Sequence, residues 1–130
     1  MQLSETQVNI PSVVAEVEAC FHRYEKALNE NDVPVLDEMF WDSPQVIRYG
    51  VVEQLYGADE IRNFRRNRPP IDLRRDLLKV WIVTYGRDFA TASCEYRRKE
   101  TGRVGRQMQT WARMDGAWKV VAAHVSLLPA

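Results

Sequence analysis

One arginine lies inside an otherwise apolar stretch of this chain, and its chemistry there is the first feature to explain. The stretch "FWDSPQVIRYGVVEQLYG", residues 40–57, is typical of two short strands around Gly50, and Arg48 falls in the first strand. A guanidinium in a half-buried strand needs a partner, because an unpaired buried charge is costly. Arg48 therefore forms a structural ion pair, with Asp42 or Glu95, or reaches out to water, or is an anion site, since a planar guanidinium suits a carboxylate.

Tyr24 is the second candidate. It lies on the apolar stripe of a predicted helix, together with Val17, Phe21 and Leu28. In such a position the phenol is either a core residue whose hydroxyl binds the backbone, or a proton donor that points into a cavity.

The last two predicted strands add further polar groups. Asp115-Gly116 is a strong signal for a two-residue turn, and an uninterrupted hairpin would then place Met114 opposite Ala117. Residues on one face of a sheet alternate along each strand, so one face mixes apolar and polar groups, as a ligand cavity does. This face is predicted to carry Gln107, Gln109, Trp111, Val120, Ala122, His124 and Ser126.

The opposite face of that hairpin is predicted to be small and apolar. It carries Met108, Thr110, Ala112, Val121, Ala123 and Val125. Because the helices can cover only one side of the sheet, we expect a second copy of the chain to cover this face, giving a homodimer. A sheet that curls enough to shield itself is the alternative. Glu95, which alternates with Ser93 and Thr91, is left open between cavity and surface.

Several other chemistries find little support. His22 and His124 are far apart in sequence, and Cys20 and Cys94 lack metal-ligand spacing, so we expect no metal site. Lys plus Arg and Asp plus Glu both number 18, which argues against a nucleic-acid partner. The basic run "IRNFRRNRPPIDLRR" is interpreted as solvated surface. No apolar run is long enough to cross a membrane, and the first ten residues lack a signal-peptide pattern, so we expect a cytoplasmic protein.

The elements that must position these residues follow from periodicity. A helix is predicted from Pro11, with Ser12 as its cap, and "NEND" at 29–32 ends it and caps a short second helix. A third helix starts at Ala58 and ends at "RPP". From about Leu73 the period changes to two, which predicts four long strands. The layout is α+β, with a tail over residues 1–10 and one domain over 11–130.

This arrangement resembles the nuclear-transport-factor-2-like, or SnoaL-like, cone, in which three N-terminal helices pack on a curved antiparallel sheet. The ending "DGAWKVVAAHVSLL" is similar to the terminal strand of that superfamily. Within it, the chain resembles the AtzH-like proteins, also called oxalurate-catabolism HpxZ proteins. The motifs that carry this likeness are "RYEKALNENDVPVLDEMFWDSP", "VIRYGVVEQLYG", "TYGRDFATAS" and "GRQMQTWARMDGAWKVVAAHVS".

The resemblance implies an enzyme of nitrogen catabolism that acts without a cofactor on a small carboxylate. Its expected reaction is the decarboxylation or hydrolysis of an N-carboxylated urea, such as 1,3-dicarboxyurea to allophanate, or of a related ureido acid. The family's catalytic tyrosine and arginine match Tyr24 and Arg48. Substrate binding is then expected to involve Trp41, Gln109, Trp111, His124 and Ser126.

Two other functions stay open at this point. The fold also hosts non-catalytic hubs, so the chain could instead be an oligomerisation or ligand-binding subunit for a neighbouring amidase-signature enzyme. A steroid or polyketide enzyme would need an acidic general base, for which Glu95 is the candidate. A small cavity in which Arg48 and Tyr24 converge would favour the ureido-acid enzyme, whereas a filled cone would favour the scaffold.

Overall fold

A computed structural model describes residues 2–130. Helix α1 spans Pro11–Glu30, α2 spans Val33–Met39 and α3 spans Ala58–Asn67. Pro11 occupies the first turn of α1 and Ile10 is its N-cap, so the predicted capping by Ser12 is wrong. The predicted stop is confirmed, because Asn31 adopts a left-handed conformation after α1. Asp32 then caps α2 by accepting a hydrogen bond from the Val35 amide at 3.4 Å.

Six strands form one sheet in the order β2-β1-β6-β5-β4-β3. The strands are β1 Ile47–Tyr49, β2 Gln54–Tyr56, β3 Arg75–Tyr85, β4 Phe89–Arg98, β5 Val104–Met114 and β6 Ala117–Leu127. The expectation of a purely antiparallel sheet is corrected, because strands β1 and β6 pair in parallel and the sheet is therefore mixed. Helix α3 follows the strand pair around Gly50, as the sequence predicts.

The predicted register of the last hairpin is confirmed near the turn and wrong beyond it. Met114 pairs with Ala117, and the pairing continues regularly to Trp111 opposite Val120. Thr110 then pairs with Ala122, which leaves Val121 as an extra residue in β6. Because side chains alternate between faces, this β-bulge moves every later residue of β6 to the face opposite the predicted one.

The bulge therefore decides which side chains enter the core. Ala123 and Val125 now share the inner face with Gln107, Gln109 and Trp111, while Ala122, His124 and Ser126 lie on the outer face. The helices pack on the inner face, where the apolar core forms. Its largest fully buried apolar side chains are Trp111, Phe21, Leu36 and Ile61.

The segment before α1 is attached to the far edge of the sheet. Glu5–Gln7 form a short 3-10 turn, and Val8 makes a single bridge to Tyr85 in β3. Asn9 closes the contact, because its amide donates to the Thr84 carbonyl at 3.0 Å and its side-chain oxygen accepts from the Thr84 amide at 2.9 Å.

Candidate active site

A cavity of about 410 Å³ opens between the inner face of the sheet, helices α1 and α3, and the segment that follows α3. Tyr24 and Arg48 both line it. Its charged lining is unbalanced, since four arginines face a single glutamate among the residues that the structure describes. The charged lining residues are Arg48, Arg68, Arg75, Arg98 and Glu53. Glu25 and Glu100, which are not part of the lining, pair with Arg75 and Arg98. Among the described residues, Arg68 is the lining arginine without a carboxylate partner, and it supplies most of the positive charge that attracts a small anion within these low-dielectric walls.

Arg48 projects from β1 toward this cavity and is paired, but not with a predicted partner. Its guanidinium donates to the Glu53 carboxylate at 2.9 Å, and both side chains are largely buried, with 15% and 18% exposed. Asp42 and Glu95 lie elsewhere: Asp42 pairs with Arg62 on the surface, and Glu95 is in β4. The Glu53 contact uses one terminal nitrogen of Arg48, so further N–H donors of the fork are available to a ligand.

Tyr24 enters the cavity from α1. The residue is 3% exposed and its ring packs 6.2 Å from that of Phe40, which fixes its direction. The hydroxyl makes no hydrogen bond to any of residues 2–130, so the alternative of a core tyrosine bonded to backbone does not describe it. A phenol that borders a cavity with no protein partner can donate a proton or a hydrogen bond to a bound molecule.

Two guanidiniums flank one aromatic ring in the cavity wall. Arg48 lies 5.9 Å and Arg68 6.0 Å from the centroid of Phe64. Burial lowers the pKa of Arg68, and the positive charges of Arg65 and Arg48 lower it further. The nearest side-chain acceptor of Arg68 is the Asn31 oxygen at 3.5 Å, which carries no charge. A bound anion would stabilise the charged form of Arg68, so this arginine is suited to bind one.

A buried chain of hydrogen bonds forms the floor of the cavity. Arg75 donates two hydrogen bonds to the Glu25 carboxylate, at 2.9 and 2.8 Å, and a third to the Gln107 oxygen at 3.0 Å. Burial lowers the pKa of Arg75, but its hydrogen bonds to Glu25 and the attraction of that charge outweigh burial, so the pKa is raised overall. Arg75 also stacks on Tyr96, 4.3 Å from the ring centroid. This pair is already neutralised, unlike Arg68.

Three predicted substrate-binding residues belong to the core and do not border the cavity. Trp111 is fully buried and donates its indole N–H to the Gln109 oxygen at 3.1 Å. Trp41 packs against the edge of the core, and its backbone amide binds the Val120 carbonyl at 2.9 Å. These three side chains pack in the core or against it, and they do not touch the cavity space.

His124, Ser126 and Glu95 lie on the other side of the sheet. They border a groove of about 570 Å³ on the outer face, together with Trp81 and Met108. The predicted convergence of His124 and Ser126 with Gln109 is therefore wrong, and its physical cause is the bulge at Val121. Glu95 is also outside the cavity, so the candidate base for a steroid or polyketide enzyme does not reach it.

The interpretation of the basic run over residues 61–75 as solvated surface is wrong for three of its arginines. Arg65 is buried, pairs with Asp37 at 3.0 Å and stacks on Phe40, while Arg68 and Arg75 line the cavity. Arg65, Arg68 and Arg75 are three and seven residues apart, but the prolines of "RPP" interrupt the chain after Arg68. No helical periodicity therefore marked these three arginines as inward-facing. Charged side chains with buried stems are hard to distinguish from surface ones by composition alone.

The described chain shows two further absences. Among residues 2–130, no group of three or more His, Cys, Asp or Glu side chains is placed to hold a metal ion. Over the same residues, no helix is long and apolar enough to cross a membrane.

The mixed six-stranded sheet, the three helices on its inner face and the cavity between them define a nuclear-transport-factor-2-like protein. A protein of that superfamily from Salmonella enterica has this fold, with a TM-score of 0.71 over 92% of this chain and 93% of that one, at 22% identity. The chain belongs to the AtzH-like family, whose sequence profile matches residues 6–130.

Two solved structures are much more similar in sequence. A protein of unknown function from Pectobacterium atrosepticum is 51% identical, with a TM-score of 0.94 over 98% of this chain and 100% of that one. A cystatin-like fold protein from Burkholderia xenovorans is 45% identical, with a TM-score of 0.89 over 95% and 97%. No curated protein matches the chain.

Proposed function

We propose that this protein is an enzyme that removes carbon dioxide from an N-carboxylated urea, of the 1,3-dicarboxyurea type, or cleaves a related ureido acid. The observation that carries the proposal is the shared cavity of Tyr24 and Arg48, a phenol without a protein partner beside a cluster of guanidiniums. A small dianion is complementary to the positive lining. Two of the cations, Arg48 and Arg68, lie next to the same aromatic ring, that of Phe64.

Decarboxylation requires one proton, which is added to the nitrogen that carried the departing carboxylate. As the bond between nitrogen and the carboxylate carbon breaks, its electron pair stays on nitrogen and the carboxylate leaves as neutral carbon dioxide. Tyr24 would give this nitrogen its proton, and a water molecule would then reprotonate the phenolate. Arg68 and Arg75 line the same cavity as Tyr24, and positive charges there would stabilise the negative charge that the proton transfer leaves on the phenol oxygen.

Arg48 is assigned to the carboxylate that remains in the product. The departing carboxylate loses its charge during the reaction, so an ion pair to it would stabilise the substrate more than the transition state. Holding the retained carboxylate has no such cost, and it fixes the rest of the molecule near the proton donor. This division of roles predicts that Arg48 acts mainly through binding and Tyr24 mainly through turnover.

The test is incubation of purified protein with N-carboxylated ureas, following release of carbon dioxide and ammonia. We expect Tyr24→Phe to lower kcat by about a hundredfold or more and Arg48→Lys to raise KM. Matched controls are Tyr56→Phe, an exposed tyrosine on β2, and Arg23→Lys, an exposed arginine on α1. An unchanged kcat in folded Tyr24→Phe, or an unchanged KM in folded Arg48→Lys, would refute these roles. Inactive wild type that still binds carboxylates would instead favour the ligand-binding subunit of an amidase.

A further inference from the structure

A buried amide in the cavity has a hydrogen-bond donor with no acceptor in the protein. Gln107 is 2% exposed, lies on β5 and contributes to the cavity lining. Its Nε2 atom is fully buried and has no partner among residues 2–130. Buried amide donors nearly always find an acceptor, because leaving one unsatisfied is costly. An unpaired donor at the edge of a cavity therefore points to a ligand.

The orientation of this amide is fixed by its neighbours. Arg75 has donors only, so the Gln107 atom that lies 3.0 Å from its Nη2 must be the carbonyl oxygen. Arg75 is in turn held by two hydrogen bonds to Glu25, and its stack on Tyr96 restrains the plane of the guanidinium. The chain Glu25, Arg75, Gln107 thus prevents the amide from flipping. Nε2 must present its N–H groups away from Arg75.

We propose that Gln107 Nε2 is the donor that recognises a neutral carbonyl oxygen in the ligand, between the groups that bind the arginines. Gln107 is then a specificity-determining residue, and Glu25 and Arg75 are positioning residues that act through it. The inference rests on the proposed function for the kind of ligand, two carboxylates on either side of a carbonyl. A cation in this place would attract carboxylates only, whereas a neutral amide distinguishes an acceptor oxygen from a methylene group.

The chain contains a matched control for this role. Gln109 is two residues away on the same face of β5, is 1% exposed, and also has a buried Nε2 without a partner. Its oxygen is held by Trp111 in the core, and it does not border the cavity. The same substitution at positions 107 and 109 therefore removes the same chemical group from the cavity wall and from the core.

The experiment compares two probes, 3-oxoglutarate and glutarate, which differ only in the central carbonyl. Binding to the full chain is measured by isothermal titration calorimetry in the cold, soon after the keto acid is dissolved. We expect wild type to bind 3-oxoglutarate on the order of tenfold more tightly than glutarate. Gln107→Met should remove this preference while retaining some affinity for both, and Gln109→Met should keep it. Circular dichroism of each variant checks the fold.

Gln107→Glu is the second variant, because it keeps an acceptor for Arg75 and removes only the donor. It should weaken both probes through its charge and also bring their affinities to about the same value. Equal affinities in wild type, no binding of either probe, or a preference that survives at both Gln107 variants would each overturn the inference. The preference does not depend on turnover, so a wild-type protein that shows it without decarboxylating any urea would refute the proposed reaction and leave the role of Gln107 intact.

Discussion

At the scale of single residues, Glu53 is a carboxylate of the protein itself that competes with a ligand for Arg48. Glu53 lies immediately before β2, and one of its carboxylate oxygens accepts a hydrogen bond from the Arg48 guanidinium at 2.9 Å. Its other oxygen accepts a hydrogen bond from the Val52 amide at 3.3 Å. The Glu53 side chain packs against Gly50, where a Cβ atom would overlap the Glu53 carboxylate. The turn residue between the strands thus allows an internal carboxylate to occupy one face of the anion site.

We predict that Glu53→Gln strengthens the binding of small dicarboxylates. The substitution keeps a hydrogen-bond acceptor for Arg48 but removes the negative charge that repels the ligand, which is worth about 1 kcal/mol, or roughly fivefold in Kd, in this partly buried place. Calorimetric titration with 3-oxoglutarate measures it. Glu38→Gln is the control, since it removes the same charge from an exposed pair with Arg23. Weaker binding by Glu53→Gln would show that Glu53 orients Arg48 instead of competing for it.

At the scale of elements, β5 approaches its neighbours so closely that only glycine fits at position 105. Gly105 pairs with Tyr96 of β4 on one side and Leu127 of β6 on the other. A Cβ atom there would overlap the Tyr96 ring and lie 2.6 Å from the Ser126 carbonyl oxygen. Tyr96 is the platform under Arg75, so this close contact connects strand packing with the cavity floor.

We predict that Gly105→Ala lowers the free energy of unfolding by about 2 kcal/mol and weakens ligand binding, because Tyr96 must move. Gly102→Ala is the comparison. Gly102 has a φ of 72° but no heavy atom within 4 Å of the added Cβ, so only backbone strain of about 1 kcal/mol applies. Urea denaturation followed by tryptophan fluorescence measures both. Equal effects on stability, with ligand affinity unchanged in Gly105→Ala, would contradict the role given to the Tyr96 contact.

The elements also show how far the sequence could predict the site. The helices and the Asp115-Gly116 turn follow from local periodicity and turn chemistry, so they could be read directly. The bulge at Val121 could not, because β6 has apolar or small residues on both faces and alternation carries no register there. The parallel pairing of β1 with β6 is equally invisible, since it joins distant segments.

The candidate site divides in the same way. Arg48 stood out because a cation in an apolar strand is anomalous, and Tyr24 because a phenol lay on an apolar stripe. Arg68 and Arg75 gave no such signal, since each lies in a run of other arginines. What separates them from their exposed neighbours is the tertiary contact each makes, with Phe64 and with Glu25 respectively. Contacts of this kind between distant segments are set by the fold and not by local pattern.

At the scale of the whole molecule, no helix formed by residues 2–130 covers the outer face of the sheet. All three helices pack on the inner face, and the outer face exposes large apolar side chains, with Trp81 64%, Met108 59% and Phe89 44% exposed. Lys79, Glu95 and Arg106 border the same groove, so the face carries charges of both signs. The formal net charge of the chain is zero, and two copies therefore do not repel each other as a whole. These features suit a second copy of the chain.

We predict that the protein is a homodimer in solution and that its outer sheet face forms the interface. Light scattering after size-exclusion chromatography, over a range of micromolar concentrations, should give twice the chain mass of 15.1 kDa. Trp81→Glu places a charge at the most exposed of these apolar side chains and should give a monomer with lower thermal stability, because dimerisation contributes to the folded state by mass action. Leu3→Glu is the control, since Leu3 is 52% exposed but lies before α1. A wild-type monomer, or a Trp81→Glu variant that remains dimeric, would show that something other than a second copy covers this face.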